Sequence, residues 1–70
     1  MNAAVFSAAR LAGCSTREAE VLATYVVSEN ARDAARKLGL SEQTVKNHLS
    51  AVRQRFGAPH TIAVVVKLLS

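Results

Sequence analysis

Tryptophan is absent from this sequence, tyrosine occurs once and phenylalanine twice, so no core can be built on aromatic bulk. Cysteine occurs once, as Cys14, which excludes an internal disulfide and fits a reducing compartment. With only His48 and His60 as company, Cys14 cannot complete a zinc site, and a small buried thiol is the expected role. The longest apolar run, Ile62 to Val66, is too short to span a membrane. No positive side chain precedes the alanine-rich N-terminus and Arg10 interrupts it, so no signal peptide is expected. These absences predict a cytoplasmic, nucleoid-associated protein. Paired carboxylates, a nucleophile–base spacing and a phosphate loop are all missing, so neither an enzyme, a cofactor nor a small-molecule ligand is expected.

What remains is short, alanine-rich and basic. Seventy residues make one small domain that buries only about 60% of its unfolded surface. The net charge of +4 is unevenly placed: residues 1–31 sum to −1, residues 32–55 to +4, and Lys67 supplies the rest. A basic segment of this kind is the footprint of a polyanion binder, or simply of a soluble basic surface.

The basic segment contains the most informative stretch, residues 40–56. At helical spacing Val45, Leu49, Val52 and Phe56 form one apolar stripe. Gln43, Lys46, Asn47, Ser50 and Gln54 project from the opposite side, with amides, an ammonium and a hydroxyl but no carboxylate. Such groups read base edges and neutralise phosphate. An ordinary solvated helix face is the bland alternative.

The flanking elements are legible as helices. Residues 2–12 read as a short helix capped by Asn2, with Val5, Phe6 and Ala9 on one face and Gly13 as the stop, or else as a frayed arm. Ser15-Thr16-Arg17-Glu18 has the form of a capping box and starts a helix running to about Ser28, with Val21, Leu22, Tyr25 and Val26 inward. Ala31, Ala34, Ala35 and Leu38 share a face of a third helix, capped by Asn30 and ended by a left-handed Gly39. Leu40 should plug the core and Ser41 should cap the long helix. Two helices joined by so short a glycine-containing turn make a helix-turn-helix. After Gly57-Ala58-Pro59, residues 61–69 read as a last helix capped by Thr61, or as a β-branched strand.

Ser15-Thr16-Arg17-Glu18-Ala19-Glu20-Val21-Leu22, followed by Leu38-Gly39-Leu40-Ser41-Glu42-Gln43-Thr44-Val45-Lys46-Asn47-His48-Leu49, resembles the LuxR-type (GerE-like) helix-turn-helix family. That family shows T-P-R-E-x-E-V-L and then L-G-L-S-x-x-T-V-K-x-H-L. The resemblance implies an all-α, four-helix domain over residues 14–70, preceded here by an arm or extra short helix over 1–13. It implies a transcriptional regulator whose third helix, residues 41–56, enters the major groove of double-stranded DNA. Carried over residue by residue, Lys46, Asn47 and Ser50 read bases. Gln43, Thr44 and His48 match positions that hold the phosphate backbone, and Arg53 and Arg55 match the basic end of the same helix; Arg32, Ser41 and Gln54 complete the expected backbone set, although His48 also suits a structural role at the edge of the apolar stripe. The pattern is departed from at Thr16, where proline is usual, at Cys14, at Ala34, and in a shorter Ala58-Pro59-His60 loop. The length leaves no room for a receiver or sensing domain, so a stand-alone member is expected.

The last helix commonly forms the family's dimer contact. Here Ile62, Val65, Val66 and Leu69 are assigned to the core, leaving Val64, Lys67 and Leu68 for a weak two-fold dimer. In the rival arrangement Val5, Phe6 and Leu11 fold back over that patch and the protein is a monomer. Two other functions compete: a protein-interaction module that keeps the fold but pairs with a larger regulator, and region four of a sigma factor, against which the Thr44–His48 run argues.

Overall fold

The computed structural model describes residues 1–70 as five helices: α1 (Ala3–Leu11), α2 (Thr16–Tyr25), α3 (Ala31–Leu38), α4 (Glu42–Phe56) and α5 (Thr61–Leu69). Residues 61–69 are therefore helix, not strand, and the N-terminal segment is an ordered helix rather than an arm. α2 lies at the centre, against α1, α3 and α4, while α5 closes the bundle against α4 and α1. Val21, Leu22, Val45, Val52 and Val64 fill the middle. Ala9, Ala19, Ala23, Ala34 and Ala35 are buried around them, and their small side chains let the helix axes approach closely.

Every helix begins on a side-chain cap. Asn2, Ser15, Asn30 and Ser41 accept from the backbone N–H groups of Val5, Glu18, Asp33 and Thr44 at 3.0, 3.1, 2.9 and 3.0 Å. The capping box is complete, because Ser15 N–H donates back to the Glu18 carboxylate at 2.9 Å. The cap of α5 is His60 rather than Thr61: its Nδ1 accepts from Ala63 N–H at 3.2 Å. Gly39 and Gly57 end α3 and α4 with φ of 69° and 61°, a region that glycine enters without a Cβ penalty.

α2 stops at Tyr25, three residues short of the predicted end. Val27 and Ser28 N–H turn to the carbonyls three residues back, at 3.2 and 3.0 Å, and Ser28 Oγ donates to Thr24 C=O at 2.6 Å. A β-branched pair followed by a serine that competes for the backbone tightens this last turn. Lys37 Nζ then covers the freed Val27 carbonyl at 3.0 Å.

The face assignment of α5 is largely reversed: of its four expected core residues, only Val65 packs on the core. Val64 is completely buried and Leu68 packs half-buried on the core, whereas Ile62, Val66 and Leu69 are 55%, 61% and 54% exposed. In a helix apolar nearly all round, both stripes satisfy the spacing, and the loop decides which one turns inward. In this rotation Lys67 Nζ donates to Phe56 C=O at 2.8 Å. Of the residues expected at a dimer surface, Val64 is thus buried in the core and Leu68 is half-buried on it, while Lys67 stays exposed. α1 does pack on α5 through the core that holds Val5 and Ala9, with Phe6 against it, but Leu11 is 90% exposed and covers nothing.

Candidate nucleic-acid interface

α4 is held by its apolar stripe: Val45, Leu49 and Val52 are buried and Phe56 packs on the core. Each residue turns about 100° around the axis, so the remaining positions divide into an outer face and two flanks. Gln43, Asn47, Ser50 and Gln54 occupy the outer face. Glu42, Lys46 and Arg53 lie on one flank, towards the start of α3. Thr44, His48 and Arg55 lie on the other, towards the start of α2. The five residues assigned to the outer side in the sequence are exposed or half-buried, and none of them is part of the core.

These side chains are already organised by one another. Gln43 Nε2 donates to Asn47 Oδ1 at 2.9 Å, and Gln54 Nε2 reaches Ser50 Oγ at 3.5 Å. Both pairs are four residues apart and lie along the axis. The amide pair leaves the Asn47 NH₂ free to donate outward. Lys46 Nζ pairs with Glu42 at 3.0 Å, and Arg32 Nε lies 3.7 Å from the same carboxylate. The Lys46 ammonium, first as hydrogen-bond donor and then as charge, holds the Glu42 carboxyl below the usual range. Glu42 is the residue here that sequence reasoning passed over; its i,i+4 spacing to Lys46 was the available signal.

The predicted backbone ligands separate. Ser41 and Thr44 are used locally: Ser41 Oγ caps Thr44 N–H and also shares a 2.8 Å hydrogen bond with Thr44 Oγ1. His48 is half-buried on the flank. Arg53 is half-buried and makes no ion pair or side-chain hydrogen bond. Arg55, grouped with Arg53 in the sequence, goes elsewhere. Two residues correspond to about 200° of rotation, so the two guanidinium groups cannot share a face. Arg55 donates to Gly13 C=O at 2.6 Å and lies 3.3 Å from the Glu18 carboxylate. It ties the end of α4 to the turn between α1 and α2. Glu18 is held below the usual glutamate range, first by Ser15 N–H; burial opposes this as the next-largest effect, and Arg55 adds a smaller lowering one. Burial pushes the neighbouring Cys14 thiol up, which makes it an inert core group.

A capped helix-turn-helix, with a polar, carboxylate-free face on its second helix, defines a DNA-binding domain. Residues 13–68 match the family described as bacterial regulatory proteins, luxR family. The chain is 38% identical over 53 residues to the spore germination protein GerE of Bacillus subtilis (strain 168), covering 76% of this chain and 72% of that protein. No solved structure matches. The protein belongs to the LuxR family of bacterial regulatory proteins, and as such is a DNA-binding transcription regulator. No helix is long and apolar enough to cross a membrane.

Proposed function

We propose that the protein binds duplex DNA sequence-specifically by laying α4 in the major groove. The observation that carries this reading is the outer face of α4: Gln43, Asn47, Ser50 and Gln54, bordered by Lys46 on the flank, are contiguous and unburied, on a helix whose other side is locked into the core. The groove, about 12 Å wide, admits one helix. Asn47 has the amide geometry that pairs with adenine, Lys46 donates to guanine, and Ser50 bonds either kind of edge. Arg32, Arg53, Gln43, Gln54 and His48 flank these three and serve the phosphates. Ser41 and Thr44 position the first turn, and Arg55 holds the scaffold.

The exposed stripe Ile62, Val66 and Leu69 favours association of a second copy through α5, on the side opposite the one expected from the sequence. Two reading helices would then meet half-sites about 34 Å apart, one turn of DNA. The same stripe would serve an interaction module that binds no DNA. Selection from random duplexes, followed by binding at about 50 and 200 mM salt, separates the two. A reader making at least six phosphate contacts should lose about a thousandfold in affinity across that range. Failure to retain any duplex at the lower salt would refute the proposal.

A further inference from the structure

The three side chains proposed to read bases are each held by a neighbour four residues away on α4. Gln43 Nε2 donates to Asn47 Oδ1 at 2.9 Å, Gln54 Nε2 reaches Ser50 Oγ at 3.5 Å, and Lys46 Nζ lies 3.0 Å from Glu42 Oε2. The third pair is the charged one. We propose that Glu42 is a specificity-determining residue: it positions the Lys46 ammonium so that Lys46 selects guanine and does not act as a free counter-ion of phosphate. The inference rests on the proposed base-reading role of Lys46.

Lysine carries a compact charge on a flexible four-carbon stem, with three N–H donors. Left free, such an ammonium is satisfied by any phosphate within reach, and a phosphate contact carries no sequence information. Glu42 changes both the reach and the charge of Lys46. It is the first residue of α4, and its side chain is less exposed than that of Lys46, 40% against 57%. Its other oxygen, Oε1, lies 3.7 Å from Arg32 Nε, so a guanidinium from α3 braces the carboxylate. The pair keeps one Lys46 N–H on Glu42 and leaves two to donate. Guanine presents two acceptors on its major-groove edge, O6 and N7, whereas adenine and thymine present one each and cytosine none. A tethered ammonium with two remaining donors therefore matches guanine. The same carboxylate offsets part of the attraction of Lys46 for phosphate and repels phosphate itself, an element of discrimination by repulsion.

Two experiments on the intact protein test this. In the first, NMR relaxation of the lysine ammonium groups is measured without DNA. The Lys46 ammonium should be ordered in wild type and mobile in Glu42→Gln, while that of Lys37, paired with Asp33 at 3.3 Å, stays unchanged. Equal Lys46 mobility in the two proteins would overturn the inference, whether or not DNA binds. In the second, affinities are measured for the selected duplex and all its single base-pair variants, with wild type, Glu42→Gln, Lys46→Ala and the double variant. The position that depends on Lys46 should hold a guanine. Glu42→Gln should lower the preference there roughly threefold, leave other positions alone, and add no loss when Lys46 is already alanine. Three results would overturn the inference: no guanine at that position, affinities for all duplexes raised by one common factor, or a preference lost elsewhere, which would make Glu42 a reader itself. A wild-type protein that binds no duplex would refute the DNA-binding proposal and the recognition role with it. A wild-type protein whose discrimination survives Glu42→Gln would refute the role of Glu42 alone. Should Glu42→Gln not fold, Glu42→Asp, with its carboxylate drawn back by one methylene, should show a smaller loss at the same position.

Discussion

Replacing Arg55 by alanine should destabilise the fold and leave the salt dependence of DNA binding unchanged. Its guanidinium makes a 2.6 Å hydrogen bond to Gly13 C=O and a 3.3 Å ion pair with Glu18, joining residues 42 positions apart. A hydrogen bond from a charged donor contributes about 1.5–3 kcal/mol, and an exposed ion pair about 0.2–1 kcal/mol. The Arg55 side chain is 43% exposed, so water screens both contacts, and we take about 1–2 kcal/mol for the loss. In a domain of this size that lowers the melting temperature by roughly 5–15 °C. Arg53→Ala should do the reverse: it melts within a few degrees of wild type, and the slope of log affinity against log salt falls by about one, the loss of one phosphate contact. Thermal melts and salt titrations of both variants make the comparison. An Arg55→Ala protein that melts like wild type yet loses one from its salt slope would show that this guanidinium leaves Glu18 for the DNA.

Three further outcomes follow from the same geometry. Glu42→Gln releases Lys46 and Arg32 from their shared carboxylate, so affinity for random duplex at low salt should rise several-fold; an unchanged affinity would mean that the pairs do not compete with phosphate. Val64→Glu buries a carboxylate and should unfold the protein, whereas Val66→Glu should fold normally and sediment as a monomer at every concentration; a dimer that survives Val66→Glu would place the contact elsewhere. The depressed Glu18 carboxyl favours the folded state when ionised, so its contribution is present above the unfolded glutamate value of about 4.3 and is lost as pH falls through the lower folded value. Urea midpoints between pH 6 and 3 should therefore drop less in Glu18→Gln than in wild type, and equal drops would contradict this.

The helices were legible where local chemistry decides them. Ser15 with Glu18, Asn30, Gly39 and Ser41 each act through partners within five residues, and each does in the structure what its residue type and position imply. The stripe of α4 was equally readable, because its polar side leaves only one apolar choice. α5 has no polar side, so its inward face depended on how it docks on α4 and α1, which periodicity does not report. The Arg53–Arg55 difference was implicit in their 200° separation, but what each meets depends on neighbours distant in sequence. Tyr25 and Thr61 share a cleft with Arg53 only because the ends of three other helices converge there.

The central claim is that the outer side of α4 reads bases, and the base-pair preferences of Lys46→Ala and Asn47→Ala test it most directly. Affinities are measured for the selected site and for every single base-pair change within it. Each substitution should weaken the selected site by about 1–3 kcal/mol and flatten the preference at one position, with binding to random duplex much less affected. Two variants that bind and discriminate like wild type would contradict the account.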